Sequence, residues 1–224
     1  MTHQPRFAVV LSGCGVYDGA EIHEAVLTLL AIQKNGGNYD CFAPDVDQHH
    51  VINHRTGDEM PETRNVLTES ARIARGAIAP LADFNAADYD AIIFPGGFGA
   101  AKNLCTFAFD GADCTVNDDV AQAVAAMVAA GKPIGALCIA PALMAKVMAG
   151  ATLTIGQDEG TAQAIESMGA KHQKTTHAEV VVDPARKLVT SPCYMLDATI
   201  SQIAEGADNA VRAVLGLMET RKAA

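Results

Sequence analysis

Short apolar runs alternate with amphipathic stretches along most of the chain. Phe7-Ala8-Val9-Val10-Leu11 is a continuous apolar run stopped by Ser12-Gly13. That pattern suits a parallel strand buried on both faces. A helix is expected next, with Ile22, Ala25, Val26, Leu29 and Leu30 turned inward and Asn35-Gly36-Gly37 as its stop. Tyr39-Asp40-Cys41-Phe42-Ala43 reads as a second strand, ended before Pro44. Residues 44–62 are polar and irregular. Within them Val51-Ile52-Asn53 and the turn Arg55-Thr56-Gly57-Asp58 predict a small hairpin, and 62–75 predicts a helix stopped by Gly76. The whole stretch is longer than an ordinary strand-to-helix connection, so an insertion at about 44–76 is expected beside the sheet.

The alternation then resumes. Ala91-Ile92-Ile93-Phe94 predicts a buried strand, followed at once by Pro95-Gly96-Gly97-Phe98-Gly99 and a helix over 102–109. Residues 118–130 predict an amphipathic helix with Val120, Val124, Met127 and Val128 inward. Ile134-Gly135-Ala136-Leu137 is a strand, then comes Cys138, then a helix entered through Pro141. Thr152-Leu153-Thr154-Ile155 predicts another strand, and 179–183 with 187–190 a hairpin around Pro184-Ala185. A last helix carries Ile200, Ile203, Ala204, Ala207, Val211, Val214, Leu215 and Met218 on one face. Such alternation implies an α/β fold with a mostly parallel sheet and helices on both sides. No repeat or linker divides it, so a single domain over 1–224 is expected.

Composition narrows the function classes. Half of the 224 residues are hydrophobic, enough for a substantial core. The formal net charge of -10, with acids scattered, argues against a nucleic-acid partner. The opening Met1-Thr2-His3-Gln4-Pro5-Arg6 lacks an apolar leader core, and no apolar run reaches the roughly 18 residues of a membrane span. Cys14, Cys41, Cys105, Cys114, Cys138 and Cys193 include no C-x-x-C pair and no zinc spacing with His. Free thiols, no metal and a cytoplasmic location are the expectation.

Candidate chemistry centres on Cys138. It stands between a buried strand and a helix, at the strand end where parallel sheets gather functional groups. Unpaired N–H groups and the partial positive charge of a helix start favour thiolate there. Ala136 and Ala140 supply the small neighbours a sharp nucleophile turn requires, and the Ile139 N–H can face an oxyanion. On Cys138 alone, a buried structural cysteine is an equal alternative. The Gly96-Gly97 loop after the preceding strand shifts the balance, because glycines there let a backbone N–H approach a bound oxygen.

These two loops resemble the class I amidotransferase-like superfamily, which includes PfpI-type proteases and parkinsonism-associated deglycases. Three stretches look like the ElbB family of isoprenoid-biosynthesis-associated glyoxalases. They are Leu11-Ser12-Gly13-Cys14-Gly15-Val16-Tyr17-Asp18-Gly19-Ala20-Glu21-Ile22-His23-Glu24, Pro95-Gly96-Gly97-Phe98-Gly99-Ala100-Ala101-Lys102-Asn103-Leu104, and Cys138-Ile139-Ala140-Pro141. The resemblance implies a flavodoxin-like three-layer sandwich, a homodimer, a nucleophilic Cys138 and a glutamate from the first helix. Spacing from the Asn35-Gly36 stop puts that glutamate at Glu24, with Glu21 one turn earlier as the fallback. The competing role for both is helix capping. The chain departs from the wider superfamily in lacking its third catalytic residue, a histidine. Ile139 follows the cysteine, and Thr154-Ile155-Gly156 occupies the later strand where deglycase-like members carry it. That argues against glutaminase and peptidase chemistry.

What the ElbB resemblance implies is cofactor-free, glutathione-independent conversion of glyoxal, a small aldehyde substrate, to glycolate. Cys138 would attack one aldehyde, Gly97 and Ile139 N–H groups would hold the oxyanion, and Glu24 would move the proton, its own pKa raised by burial. A protonated Glu24 would also donate to the thiolate. Gly96, Tyr17 and Asn103 are expected to line the pocket, Cys14, Cys105 and Cys193 to lie near it, and Ser191-Pro192 to form its far wall. His23 is expected as a structural residue or a pocket wall and not the base, and His54 and His177 at the surface, with His54 lining the pocket if the insertion folds over it. A cysteine redox sensor and an amidotransferase-like subunit of a metabolic partner are the alternatives.

Overall fold

The computed structural model describes residues 4–219, so the first half of the opening stretch read for a leader, Met1-Thr2-His3, lies outside the described residues. Within them, nine strands and eight α-helices alternate. They are β1 (Arg6–Val10), α1 (Ile22–Lys34), β2 (Asn38–Ala43), α2 (Val66–Ile73), β3 (Ile78–Pro80), β4 (Ala91–Phe94), α3 (Phe98–Lys102), α4 (Phe107–Asp110), α5 (Asp118–Ala129), β5 (Ile134–Leu137), α6 (Ala140–Val147), β6 (Thr152–Leu153), α7 (Glu159–Ser167), β7 (Lys171–His172), β8 (Val181–Asp183), β9 (Leu188–Ser191) and α8 (Ile200–Glu219). Seven strands form the central sheet in the order β3-β2-β1-β4-β5-β9-β8. All pairs are parallel except β8 with β9, the expected hairpin.

Pleating divides each strand between two cores. Phe7, Val9, Ala91, Ile93 and Leu137 face α1 and α8, with Ile32, Ile203, Val211 and Val214. Ala8, Val10, Ile92, Phe94, Ile134 and Ala136 face α5 and α6, with Val124, Met127, Leu143 and Met144. Helices therefore cover both faces of a mostly parallel sheet, the expected flavodoxin-like sandwich. Among the described residues no helix is long and apolar enough to cross a membrane.

Several elements differ from the pattern. On α1, Ala25 and Leu29 are buried, but Ile22, Val26 and Leu30 are each more than 40% exposed. The buried stripe instead includes Glu24, Thr28, Ala31 and Ile32. The helix is rotated so that a carboxylate faces the sheet, which a rule based on apolar residues does not foresee. Val128 on α5 and Ile200 on α8 are likewise exposed. The 62–75 helix is confined to α2, because the Asn65 side chain accepts from the Thr68 N–H and starts it there. The single helix over 102–109 is two short ones, α3 and α4. Only Thr152 and Leu153 of the 152–155 run are strand, and they pair with β7 in a separate small sheet. Strands β3 and β7 and helix α7 have no counterpart in the pattern. The hairpin of the 44–76 stretch is present, with Ile52 bridged to Glu59 and the Asn53 N–H donating to Asp58 O.

Candidate active site

Strands β1, β4, β5 and β9 all end at one rim of the sheet, and each is followed by a loop that enters the site. Strand order reverses between β1 and β4, the point where such sheets leave a crevice. Cys138 follows β5 with φ +59°, a left-handed conformation that L-residues avoid and that persists only when surroundings enforce it. Two contacts enforce it here. The Cys138 N–H donates to Ser191 O of β9 at 2.9 Å. Gly96 packs beneath, where a Cβ would stand 2.3 Å from Cys138 Cβ and 2.7 Å from Glu24 Oε2. Ile139 then caps α6, with Pro141 in its first turn.

Glu24 is fully buried, yet its carboxylate is well partnered. Oε1 accepts from the Tyr194 N–H and Oε2 from the Gly96 N–H, each at 3.0 Å, and the Cys138 thiol is its third partner. Glu21 acts instead as the N-cap of α1, where its Oε2 accepts from the Glu24 N–H at 2.7 Å. The two acids that sequence left open are thus separated by geometry into a cap and a buried carboxylate beside the thiol.

Burial raises the Glu24 pKa to about 7, restrained by the Tyr194 N–H, and the Glu21 charge adds to the rise. Burial also pushes the Cys138 thiol well above its ordinary value, and the neighbouring Glu24 charge pushes it further, against the pull of the Gly97 N–H. These directions correct the expected ready-made thiolate. Glu24 is the stronger acid of the pair, so the resting thiol donates to the carboxylate, the reverse of the expected donation from a protonated Glu24. The eight-residue α6 does not outweigh burial next to a negative charge.

The glycine loop divides its amides between two roles. The Gly96 N–H is engaged by Glu24, so it holds the carboxylate and does not face an oxyanion. The Gly97 N–H reaches the Cys138 sulfur. Gly97 itself has φ +96° and packs so tightly that a Cβ would stand 2.3 Å from Glu21 N. Asn103 is a clamp: Oδ1 accepts from the His49 N–H, while Nδ2 donates to Ser12 O and Asp18 O. Its amide is committed to backbone, which corrects its placement as a pocket-lining side chain. Tyr17 is exposed at the rim, its ring 4.9 Å from that of His54 and its N–H donating to His54 Nε2. The 44–76 stretch thus reaches the loop after β1 through His54.

Of the other cysteines, Cys193 is buried at the site, while Cys105 lies in the opposite core and donates to Ala100 O. Cys14 sits toward Glu69 and Arg72. All six are free thiols. His23 is exposed, with Nδ1 2.9 Å from the Tyr194 hydroxyl, on the outer side of the loop that binds Glu24. Among the described residues no histidine is a hydrogen-bond partner of Cys138 or Glu24, and no group of three or more His, Cys, Asp or Glu could hold a metal ion. Sequence reasoning missed Tyr194. Its contribution is a backbone N–H, which no side-chain pattern encodes.

Known proteins are similar to this chain in sequence and fold. The chain is 51% identical over 222 residues to the human mitochondrial glutamine amidotransferase-like class 1 domain-containing protein 3, covering 95% of this chain and 83% of that protein. It is 50% identical over 222 residues to the mitochondrial ES1 protein homolog of Rattus norvegicus, covering 95% and 84%. These relatives, and the mitochondrial ES1 protein of Danio rerio, overturn the cytoplasmic expectation. Among solved structures, an isoprenoid biosynthesis protein with amidotransferase-like domain from Ehrlichia chaffeensis superposes with TM-score 0.89 at 33% identity, covering 95% of this chain and 99% of that one. Glyoxalase III of Candida albicans shares the fold, with TM-score 0.63 at 15% identity, covering 96% and 98%. The DJ-1/PfpI family model matches residues 15–195. With a cysteine elbow facing a buried glutamate on this class I glutamine amidotransferase-like fold, the chain belongs to the DJ-1/PfpI family.

Proposed function

We propose that the protein is a glutathione-independent glyoxalase of the ElbB type, converting glyoxal to glycolate. The observation that carries this reading is a fully buried carboxyl with a pKa of about 7 hydrogen-bonded to the Cys138 thiol. A base poised near neutral pH is suited to move protons to and from carbon. As Cys138 Sγ attacks one aldehyde carbon, its proton passes to Glu24 and then to the new oxyanion, giving a hemithioacetal. The Ile139 N–H at the start of α6 and the Gly97 N–H, released from sulfur, stabilise that oxygen. Glu24 then removes the hydrogen on the thiol-bearing carbon, and the resulting enediol is reprotonated at the second carbon. The product is a glycolyl thioester. Water cleaves it, releasing glycolate and restoring the thiol. One carboxyl serves every proton step, so no histidine is needed.

The mitochondrial relatives support a mitochondrial setting, and the 33% identical isoprenoid biosynthesis protein supports the ElbB assignment. A homodimer belongs to the same reading, and sedimentation velocity tests it. For the reaction, the purified protein is incubated with glyoxal without thiol additives, and glycolate is quantified by NMR. Many equivalents of glycolate per protein support the proposal. Glyoxal consumed only stoichiometrically, as adducts, sinks it.

A further inference from the structure

A second buried thiol, Cys193, lies close enough to the same carboxylate to feel its charge, with the Ser191 side chain as its hydrogen-bond partner. Cys193 follows β9 as Cys138 follows its neighbour β5, and the two strands are paired in parallel with Leu137 opposite Ser191. Both cysteines have left-handed backbones, φ +59° and +42°, both are less than 10% exposed, and both lie in the core that faces α1 and α8. Glu24 joins them: Oε2 lies on the Gly96 and Cys138 side, while Oε1 accepts from the N–H of Tyr194, the residue after Cys193. Cys193 stands one residue beyond the position opposite Cys138. Both cysteines therefore sit in the first turns after two directly paired strands, and Cys193 is close enough for its charge to act on the Cys138 thiol. The glyoxalase mechanism leaves Cys193 without a role.

We propose that Cys138 and Cys193 are a peroxide-reactive pair that closes to a disulfide, with Glu24 handling the proton of each thiol. In the first step the Cys138 thiol proton passes to Glu24 and sulfur attacks a peroxide oxygen. The O–O bond breaks, and the leaving hydroxide or alkoxide takes the proton from Glu24. Cys138 becomes a sulfenic acid, oxidised by two electrons as the peroxide is reduced. In the second step the Cys193 proton passes to Glu24 and its sulfur attacks that of Cys138. The S–O bond breaks, and the departing hydroxide takes the proton and leaves as water. Glu24 ends each step unchanged. A dithiol reductant returns both thiols by exchange. The disulfide keeps Cys138 from the irreversible sulfinic and sulfonic states. This chemistry does not depend on aldehyde turnover, so either activity can fail without the other.

Reduced protein is treated with equimolar hydrogen peroxide and analysed by intact mass and non-reducing peptide mapping. The wild type is expected to lose the mass of two hydrogens, link Cys138 to Cys193, and recover with dithiothreitol. Cys193→Ser and Cys193→Ala are both expected to gain one or two oxygens at Cys138 instead, and Cys138→Ser to form no link. Oxygen addition at Cys138 of the wild type with Cys193 still free would overturn the proposal. So would a link to another cysteine or an unchanged mass. The wild-type result decides even if a variant fails to fold.

Discussion

At the residue scale, the chemistry rests on one buried proton shared by Glu24 and Cys138. The folded protein binds that proton more tightly than the unfolded chain does, because Glu24 rises from its ordinary 4.5 to about 7. An acid shifted upward contributes least when ionised, so stability is lost as pH rises from about 4.5 through about 7. The loss attributable to this group is roughly 3 kcal/mol. Glu24→Gln removes that pH dependence while leaving one backbone N–H without its acceptor. Urea midpoints at pH 5 and pH 8 are expected to fall more for the wild type than for Glu24→Gln; parallel falls would refute the shift. Since the ionised carboxylate is the base, kcat/KM for glyoxal is expected to rise through about pH 7, the value belonging to the coupled pair. Gly96→Ala tests the packing beneath the elbow. Its Cβ would collide with Cys138 and Glu24, so we expect at least about 100-fold lower activity and a loss of about 1–3 kcal/mol by denaturation.

At the element scale, α1 shows what sequence can and cannot reveal. Apolar periodicity located the helix and its stop, and the glycine and cysteine loops pointed to the candidate site. Periodicity misjudged the inward face, since the buried stripe includes Glu24 and Thr28 while Ile22, Val26 and Leu30 face outward. Local rules fail where a polar group is buried for a purpose. Leu29→Ala is therefore expected to cost about 2–4 kcal/mol and Leu30→Ala under about 1. Equal costs in chemical denaturation would contradict the observed rotation. The thiol's charge state was also illegible, because strand-end position suggests a thiolate whereas burial and a neighbouring carboxylate, both tertiary facts, keep the proton on sulfur. Tyr194 was invisible for a third reason: it acts through its backbone.

At the scale of the whole molecule, the site is an intersection of four strand ends. Loops after β1, β4, β5 and β9 bring in the α1 carboxylate, the glycine amides, the thiol, and the Cys193-Tyr194 turn. The parallel sheet was readable from alternation, and the short β3, β6 and β7, at three residues or fewer, were not all readable. The 44–76 stretch is tied to the loop after β1 by polar contacts, Asn103 with His49, Ser12 and Asp18, and the Asp18 carboxylate with the Ile52 N–H, besides the apolar packing of Val51, Val66 and Ile73. Asn103→Ala is expected to cost about 2–3 kcal/mol for its three hydrogen bonds. It should raise KM more than it lowers kcat, because the clamp lies outside the thiol–carboxylate pair. A pure kcat effect would show that Asn103 acts on the reacting groups instead.

The most direct test of the central claim is steady-state formation of glycolate from glyoxal, without glutathione, by wild type, Cys138→Ala and Glu24→Gln. The proposed mechanism predicts multiple turnover by the wild type, none by Cys138→Ala, and a loss of about 100-fold or more for Glu24→Gln with the fold intact by circular dichroism. Activity retained by Cys138→Ala, or undiminished in Glu24→Gln, would contradict it.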